Sequence, residues 1–262
     1  MSTPDTSRPL LTAERRERIS ALLRQRRVVR VTELSQIFDV SEVTIRSDLD
    51  AMAGAGQLQR SRGGALAVAS PSLFDAFELR AGVNLEAKRR IGRAAADLVR
   101  PHDRVILDSG TTVMEMAKCL HDRGPLTVVT NALNVATEVG VGLDIDVVLA
   151  GGSLHRGNIC TFGPLAERVL ADVMVHKVFL GTYALDPDVG LADLSIEQAT
   201  IKQAMTRAGR QVILLADSSK WGTEGFAKVL PLSSVHTIVS DTNLPSSARV
   251  AMERLGIEVL LV

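Results

Sequence analysis

The sequence has few of the residues that mark secreted, membrane-spanning or metal-binding proteins. Its 262 residues include only two cysteines, Cys119 and Cys160, which are too few for a disulfide framework. No apolar run reaches the roughly 18–20 residues that span a bilayer, and no charged start followed by an apolar stretch predicts a signal peptide. The histidines are scattered, with no His-x-His, His-Glu-x-x-His or Cys-x-x-Cys spacing. We therefore expect a cytoplasmic globular protein with no metal, no cofactor and no membrane partner.

Charge is unevenly distributed along the chain, although its formal net charge is zero. Residues 1–66 hold eleven arginines against eight acidic residues, and the rest of the chain holds 19 basic against 22 acidic residues. Every basic residue before Lys88 is an arginine, a side chain suited to bidentate contacts with phosphates and guanine. Since this length allows two modest domains, the asymmetry favours a basic N-terminal domain that binds nucleic acid. A solvated basic face is the alternative.

Residues 12–67 have the pattern of three short helices followed by a hairpin. Start signals at Thr12, Thr32 and Ser41 precede helices predicted from Thr12 to about Arg27, from Glu33 to Phe38 and from Glu42 to Ala55. Gly56 is a typical C-terminal stop. Short strands predicted at residues 57–60 and 65–68 flank a tight Ser-Arg-Gly-Gly turn. This arrangement is typical of a winged helix-turn-helix domain.

The third predicted helix has one apolar face and one polar face. Ile45, Leu49 and Met52 recur at i, i+4 and i+7, which is the spacing of a buried helix face. Arg46 and Ser47 lie away from that stripe, so we expect them to be exposed. In a helix-turn-helix domain the recognition helix enters the major groove of DNA.

Residues 68–85 are predicted to form a linker, and residues 86–262 a second domain. In this second domain, apolar runs alternate with helix-length segments; the runs lie at residues 105–107, 127–130, 145–150, 178–180, 212–216, 237–240 and 258–262. Such runs predict a parallel sheet covered on both faces, with ligand-binding loops at the carboxyl ends of the strands. The fold class is therefore α/β: a winged helix-turn-helix followed by a mostly parallel, Rossmann-like domain.

A phosphate-binding loop is predicted directly after the first of these strands. The segment Asp108-Ser109-Gly110-Thr111-Thr112 joins that strand to a helix, whose first N–H groups and dipole favour an anion. It is neither a P-loop nor the dinucleotide fingerprint, so nucleotide hydrolysis is not supported. The alternative is an ordinary strand-to-helix turn with Ser/Thr capping.

Polar residues follow other strands of the predicted sheet and are expected at the same rim. They are Asn131, Gly151, Gly152 and the segment Asp217-Ser218-Ser219-Lys220. Cations and N–H groups suit a phosphate, whereas amides and carboxylates suit sugar hydroxyls, so the rim predicts a phosphorylated polyol. Glu197 is a further candidate; its alternative role is a favourable contact with the dipole of its own helix.

Several of these motifs, in this order, resemble the DeoR family of bacterial transcriptional regulators. The N-terminal part of the resemblance comprises Phe38-x-Val40-Ser41, Thr44-Ile45-Arg46-Ser47-Asp48-Leu49, Gly56-x-Leu58-x-Arg60 and Gly63-Gly64-Ala65. It continues with Lys88-Arg89-Arg90-Ile91, residues 108–112, Thr130-Asn131, Ala150-Gly151-Gly152, Lys177-x-Phe179-Leu180-Gly181 and residues 215–220. The resemblance covers about residues 12–245.

The resemblance implies a repressor of a carbohydrate-catabolism operon, whose C-terminal domain is similar to sugar-phosphate isomerases and binds a phosphorylated sugar without converting it. The implied contacts to the DNA operator are Ser41, Val43, Thr44, Arg46, Ser47, Arg60 and Arg62. The implied effector site comprises Asp108, Ser109, Gly110, Thr111, Thr112, Asn131, Gly151, Gly152, Lys177, Glu197 and Lys220. Because one such DNA-binding domain buries too little DNA surface for specific affinity, we expect a homo-oligomer, a dimer or a tetramer.

The sequence departs from the family pattern in three places. His176 stands where an acid is common, Gly181-Thr182-Tyr183-Ala184 where Gly-Ala-Asp-Gly is common, and Ser61-Arg62 where a histidine often precedes the two glycines. Two other functions stay open from the residues alone. One is a sugar-phosphate isomerase or kinase-like enzyme using Asp217, Glu197 and Lys220 as acids and bases; the other is an N-terminal protein-interaction module.

Overall fold

The computed structural model describes residues 12–26, 28–54, 58–61, 63–67 and 73–262. The chain divides into two compact units, Met1–Pro71 and Ser72–Val262. The predicted helix stop at Gly56 and the predicted DNA contact Arg62 lie outside the described residues. Within the described part, no helix combines the length and the apolar character needed to cross a membrane.

The described part of the N-terminal unit contains three helices and a small antiparallel sheet. In chain order these are α1 (Thr12–Arg26), β1 (Val28–Arg30), α2 (Val31–Phe38), α3 (Glu42–Gly54), β2 (Leu58–Ser61) and β3 (Gly64–Ala67). The strand order is β1-β3-β2, and β2 with β3 forms the predicted hairpin. The winged helix-turn-helix prediction is confirmed. The strand β1 was not predicted, because three residues are too few to show an alternating pattern.

The predicted helix starts are confirmed only in part. The Ser41 hydroxyl accepts a hydrogen bond from the Thr44 N–H at 3.2 Å, so Ser41 caps α3 as predicted. The helix α2 instead begins at Val31, and the preceding Arg30 makes no side-chain capping bond. Thr32 therefore lies inside the first turn of α2 and is not its cap.

One face of α3 anchors it to the core of the N-terminal unit. Ile45, Leu49 and Met52 are buried, as their spacing predicts. They belong to one apolar cluster with Ile19, Leu23, Val29, Val31, Leu34, Leu58 and Ala65. Burial of each large aliphatic side chain contributes about 1.5–3 kcal/mol, so α3 is held by packing along a single stripe.

A buried ion pair ties α3 to α1. The Asp48 carboxylate is only 2% exposed and accepts hydrogen bonds from Arg15 Nε at 2.6 Å and from Arg16 Nε at 2.9 Å. Both carboxylate oxygens therefore receive a charged donor, which compensates for the loss of water around the anion. The pair fixes the position of α3 relative to α1.

The C-terminal unit alternates strands and helices. Its helices are α4 (Leu73–Gly82), α5 (Leu85–Ala96), α6 (Thr111–Ala117), α7 (Leu133–Val139), α8 (Pro164–Ala171), α9 (Ile196–Ala208) and α10 (Ser246–Arg254). Its strands are β4 (Arg104–Leu107), β5 (Leu126–Thr130), β6 (Ile145–Leu149), β7 (Ser153–His155), β8 (Cys160–Phe162), β9 (Val175–Leu180), β10 (Ala184–Asp186), β11 (Gly190–Asp193), β12 (Gly209–Leu215), β13 (Ala227–Leu230), β14 (Thr237–Ser240) and β15 (Glu258–Leu261). Short 3-10 turns occur at Ser218–Lys220 and Leu232–Ser234.

A seven-stranded parallel sheet forms the centre of this unit. Its order is β15-β14-β12-β9-β4-β5-β6, and each neighbouring pair is parallel. These are the seven strands that the apolar runs predict, so the mostly parallel α/β fold class is confirmed. Two small antiparallel sheets, β7-β8 and β10-β11-β13, were not predicted.

The strand order changes direction between β4 and β9. From β4 the chain proceeds through β5 and β6 towards one edge, and from β9 it proceeds through β12, β14 and β15 towards the other. A crevice forms at the carboxyl ends of the two strands at such a switch point, where α/β proteins bind ligands. Asp108 and Gly181 are the first residues after β4 and β9, so they mark this crevice.

The helix α6, which begins beside this crevice, packs closely against α5. A Cβ added to Gly92 of α5 would lie 2.6 Å from the backbone carbon of Glu115 and the nitrogen of Met116. Since real Cβ atoms do not approach so closely, the contact requires glycine at position 92. The close contact with α5 therefore fixes α6, the helix that begins within the loop at residues 108–112.

The predicted linker at residues 68–85 is only partly an irregular segment. Residues 68–72 lie outside the described residues, and the ten-residue helix α4 occupies most of the remainder. Phe77 of α4 is buried, and α4 packs against α6 in the C-terminal unit. The composition of the segment did not predict a helix, because α4 follows a Ser-Pro-Ser sequence typical of loops.

We expect Asp48→Asn to destabilise the N-terminal unit without disturbing the C-terminal one. Removing one charge of a buried pair leaves its partners uncompensated, which costs about 3 kcal/mol or more. For a unit of this size, that loss corresponds to a fall of more than about 10 °C in its unfolding midpoint. Differential scanning calorimetry of the full chain measures it.

Asp50→Asn is the matched control, because Asp50 lies on the same helix and its pair with Arg60 is exposed. An exposed pair contributes at most about 1 kcal/mol, so we expect a shift of a few degrees at most. Equal midpoints for the two variants would contradict the assigned role of Asp48.

Candidate functional site

The side of α3 that faces away from the core is exposed. Val43 is 71% exposed, and Ser41, Arg46 and Ser47 are also exposed, whereas Thr44 is half-buried. All five belong to the predicted DNA-contacting set. The structure therefore gathers them on one accessible surface, which is what insertion into a major groove requires.

Arg46, the central cation of this surface, is paired within its own helix. Its Nη2 donates to Glu42 Oε2 at 2.6 Å, and both side chains are about half exposed. An exposed pair of this type contributes little stability, so its guanidinium can exchange the carboxylate for a base edge or a phosphate at small cost.

Arg60 connects α3 to the hairpin formed by β2 and β3. Its Nε donates to Asp50 Oδ1 of α3 at 2.7 Å, and its Nη1 donates to the Gly64 carbonyl of β3 at 2.7 Å. The predicted role of Arg60 was a DNA contact. In the structure two of its donors are already used, and the side chain braces α3 against the hairpin.

A pocket of about 180 Å³ lies at the switch point of the parallel sheet, within the C-terminal unit. The predicted loop lines it in full, from Asp108 to Thr112, and so does Lys220. Further lining comes from Arg80, Lys88, Asn158, Tyr183, Asp193, Gln198, Lys202, Asp217 and Ser219. Six of the eleven predicted effector residues therefore line a single cavity.

A buried lysine joins the loop to two other parts of the pocket. Lys202 Nζ, from α9, lies 2.6 Å from Asp193 Oδ2 and 3.3 Å from Asp108 Oδ2, and it donates to the Gly181 carbonyl at 2.8 Å. Burial alone lowers the pKa of Lys202, but the two carboxylates outweigh burial and raise the pKa above its ordinary value. Lys202 is therefore charged, and its charge is balanced inside the protein.

The first residue of the predicted phosphate loop is part of this buried cluster. Asp108 is 1% exposed, pairs with Lys202, and also accepts a hydrogen bond from the Gly181 N–H at 3.0 Å. Its carboxylate organises the ends of β4 and β9. The hydroxyls of Ser109, Thr111 and Thr112 remain the loop's side-chain groups for a ligand.

Positive charge accumulates on another wall of the pocket. Burial lowers the pKa of Lys88, and although Asp217 opposes this, the nearby cations Lys220 and Arg80 lower the pKa further. The acid itself is engaged, because Asp217 Oδ1 accepts hydrogen bonds from Asn84 Nδ2 at 2.9 Å and from the Ser219 N–H at 3.2 Å. Cations that line one pocket favour an anionic ligand there.

Tyr183, the single tyrosine of the chain, stands beside this wall. The Lys220 ammonium lies 5.7 Å from the centre of its ring, within the range of a cation–π contact. Thr182 also lines the pocket and donates to the Ala184 carbonyl at 2.7 Å. The departure from the family pattern at residues 182–184 therefore lies in the pocket itself.

His176, the other departure in this unit, lies away from the pocket. Its Nδ1 accepts a hydrogen bond from the Arg104 N–H at 3.0 Å and lies 3.3 Å from Asp103 Oδ1. These residues are at the amino ends of β9 and β4. The change at position 176 thus affects the opposite edge of the sheet.

Five predicted effector residues do not line the pocket, and the structure corrects their placement. Lys177 pairs with Asp103 at the amino end of β4, because it lies three residues before the carboxyl end of β9. Asn131 is fully buried and donates to the Thr161 carbonyl at 2.8 Å. Gly151 and Gly152 are exposed beyond β6, two strands from the switch point.

Glu197 is the fifth of these residues. It is exposed in the first turn of α9, where backbone and Ser195 hydrogen bonds lower its pKa. The position of Glu197 fits its alternative role, a favourable contact with the dipole of its own helix. Its neighbour one position on, Gln198, is the side chain of that turn that reaches the pocket.

Cys160 is fully buried, and burial raises its pKa to about 12. A thiol that holds its proton at neutral pH is not a nucleophile. Across the described residues, no group of three His, Cys, Asp or Glu side chains is arranged to hold a metal ion.

The sequence did not single out several residues of the pocket as ligands: Arg80, Lys88, Asn158, Asp193, Gln198 and Lys202. Lys88 belongs to the motif Lys88-Arg89-Arg90-Ile91, which is part of the resemblance to the DeoR family. That membership is a sequence signal for a role of Lys88 in the C-terminal domain. Lys202 lies mid-helix, and nothing in the sequence indicates which side of α9 faces Asp193 and Asp108.

Comparisons with known proteins match both units. A model of the DeoR-like helix-turn-helix domain matches residues 15–70, and a model of the DeoR C terminal sensor domain matches residues 83–242. The chain is 38% identical over 253 residues to the uncharacterized HTH-type transcriptional regulator YulB of Bacillus subtilis, covering 97% of this chain and 98% of that protein. It is 33% identical over 251 residues to the HTH-type transcriptional regulator GlpR of Haloferax volcanii, covering 96% and 98%.

Among solved structures, the chain is similar to ribose 5 phosphate isomerase A from Neisseria gonorrhoeae, with a TM-score of 0.39 and 14% identity over 52% of this chain and 53% of that one. The full-length relatives are regulators, and this favours a DNA-binding protein over the enzyme alternative. The N-terminal match likewise favours DNA binding over a protein-interaction module. The two family matches and the full-length relatives show that this chain belongs to the DeoR family of transcriptional regulators.

Proposed function

We propose that the protein represses a carbohydrate-catabolism operon in the cytoplasm, and that a phosphorylated sugar in the pocket of the C-terminal unit controls its affinity for the operator. The observation that carries this proposal is that Lys88 and Lys220 line the same pocket as the hydroxyl-bearing loop at residues 109–112. A phosphoester relieves the repulsion between the two ammonium groups and accepts hydrogen bonds from both.

The rest of the pocket suits the sugar part of such a ligand. Asn158, Gln198 and Tyr183 present amide and phenol groups that donate and accept hydrogen bonds, as sugar hydroxyls require. Phe162 and Ile201 supply apolar surface for the carbon skeleton. A pocket of mixed cationic, polar and apolar lining supports a phosphosugar better than a free sugar or inorganic phosphate.

The exposed face of α3 supports operator recognition. In the proposed complex, Arg46 and Ser47 contact base edges, and Ser41, Val43 and Thr44 contact the DNA backbone or thymine methyl groups; the exposure of Ser41, Val43, Arg46 and Ser47 supports this. Two such helices are needed to read a site of useful specificity, so we propose that the active form is a homo-oligomer.

Control by the effector requires that it bind one state of the protein more tightly than the other. A change of 10–100-fold in operator affinity corresponds to about 1.4–2.7 kcal/mol of differential binding. Two charge-assisted hydrogen bonds to a phosphate are of sufficient strength to provide it.

We expect Arg46→Ala to lower affinity for DNA from the region upstream of the protein's own gene by at least about 5-fold, because a bidentate contact to a base contributes about 1–3 kcal/mol. Fluorescence anisotropy with labelled duplex measures the change. The exposed Arg18 of α1 provides the control, since Arg18→Ala removes the same charge from the same unit outside α3. If both variants retain wild-type affinity and melting temperature, α3 is not the recognition helix.

We expect Lys220→Gln to weaken binding of a phosphorylated sugar by about 10-fold or more, since a hydrogen bond to a charged group contributes about 1.5–3 kcal/mol. The measurement is the ligand-induced rise in melting temperature across a panel of pentose and hexose phosphates, each beside its unphosphorylated sugar.

Lys228→Gln is the control, because Lys228 is an exposed lysine of β13 outside the pocket. It should keep the wild-type response. A response to unphosphorylated sugars alone, or the same response in both lysine variants, would overturn the assignment of the phosphate. Formation of an isomerised product would restore the enzyme alternative.

A further inference from the structure

The helix α4 stands between the two regions that the family models match. These regions end at residue 70 and begin again at residue 83, and α4 spans Leu73–Gly82. Only residues 68–72 separate the start of α4 from the end of β3 at Ala67. Among the described elements of the C-terminal unit, α4 is therefore the one nearest in sequence to the DNA-binding unit.

Arg80, near the end of α4, lines the pocket. Its Nη2 donates to the Gly157 carbonyl at 3.1 Å and to Asn158 Oδ1, residues that follow Arg80 by more than seventy positions. Asn158 also lines the pocket. The side chain of Arg80 thus joins the last turn of α4 to the wall of the ligand site.

A second side chain also binds the last turn of α4. Lys88 Nζ donates a hydrogen bond to the backbone carbonyl of Arg80. The ammonium that we assign to the phosphate is therefore also the group that holds the end of α4. In addition, α4 packs against α6, whose first residues Thr111 and Thr112 belong to the pocket loop.

Four cationic and three acidic side chains line the pocket. Arg80, Lys88, Lys202 and Lys220 supply four positive charges, against three carboxylates from Asp108, Asp193 and Asp217. Lys202 forms ion pairs with Asp108 and Asp193. Asp217 accepts hydrogen bonds from Asn84 and Ser219. A guanidinium stays charged in such surroundings and matches the oxygens of a phosphate in a planar, two-bonded fork.

We propose that Arg80 is an effector-binding residue and that α4 is the connector through which the pocket controls the DNA-binding unit. The anionic group of the effector takes hydrogen bonds from Arg80 and Lys88. Arg80 then no longer donates to Asn158 and the Gly157 carbonyl. Lys88 no longer donates to the backbone carbonyl of Arg80. Occupancy of the pocket thereby changes how the last turn of α4 is held. This inference rests on the proposed phosphosugar pocket.

The test compares the full chain with Arg80→Gln, Arg80→Lys and the control Arg93→Gln, an exposed arginine of α5 that does not line the pocket. Each protein is titrated with inorganic phosphate and with the panel of pentose and hexose phosphates, with melting temperature as the readout of binding. The affinity for upstream DNA is then measured without ligand and at a saturating concentration of the best ligand. The ratio of the two affinities is the coupling.

We expect a coupling of about 10–100-fold in the wild type and in Arg93→Gln. In Arg80→Gln we expect ligand binding about 10-fold weaker and, at saturation, a coupling below about 2-fold. Arg80→Lys retains the charge without the fork, so it should recover part of the binding and part of the coupling. If Arg80→Gln fails to fold, the reduced coupling of Arg80→Lys decides the question.

Hydrogen exchange provides a second measurement, whose response to the ligand would be the same in all variants if Arg80 had only a structural role. In the wild type, the ligand should change protection of the amides at residues 77–82 and leave those of α10 unchanged; in Arg80→Gln it should change neither. Wild-type coupling in Arg80→Gln at saturation would overturn the role of α4 and leave the phosphosugar pocket standing. A wild-type protein that binds no member of the panel would overturn both.

Discussion

The buried ammonium of Lys202 is the interaction on which the ligand site depends. It reaches Asp108 after β4, the Gly181 carbonyl after β9 and Asp193 at the end of β11. An unpaired charge at that depth would be prohibitively unfavourable, so these chain ends must converge on the ammonium for the unit to fold. The same convergence opens the crevice and sets the loop at residues 109–112 along one side of it. The cations Lys88 and Lys220 also line this pocket.

The sequence predicts the sheet well and the pocket only in part, because the two arise from interactions of different range. Each of the seven strands is a local apolar run, and the phosphate loop is a local turn between a strand and a helix, so both are visible within a few residues. Lys202 meets Asp108 across more than ninety positions, and Arg80 meets Asn158 across 78. No local pattern encodes such a meeting, which depends on the order of the strands and on the rotation of α9.

Motif order also does not indicate which edge of the sheet a residue faces. Lys177 and Gly181 belong to one motif, yet four residues of strand separate them by about 13 Å, so they lie at opposite edges. Asn131 follows β5 and Gly151 follows β6, but both strands are on the far side of β4 from the switch point. A residue at the carboxyl end of a strand therefore reaches the ligand only if its strand borders the crevice.

The arginine-rich N-terminal unit holds much of its positive charge in internal pairs. Arg15 and Arg16 bind Asp48, Arg26 binds Glu33, Arg46 binds Glu42 and Arg60 binds Asp50. Long-range attraction to a polyanion depends on uncompensated charge, and each arginine that keeps its carboxylate displaces no cation from the duplex. If α3 enters the major groove as proposed, Arg46 must exchange the Glu42 carboxylate for a group of the DNA, and because the pair is exposed this exchange has only a small cost.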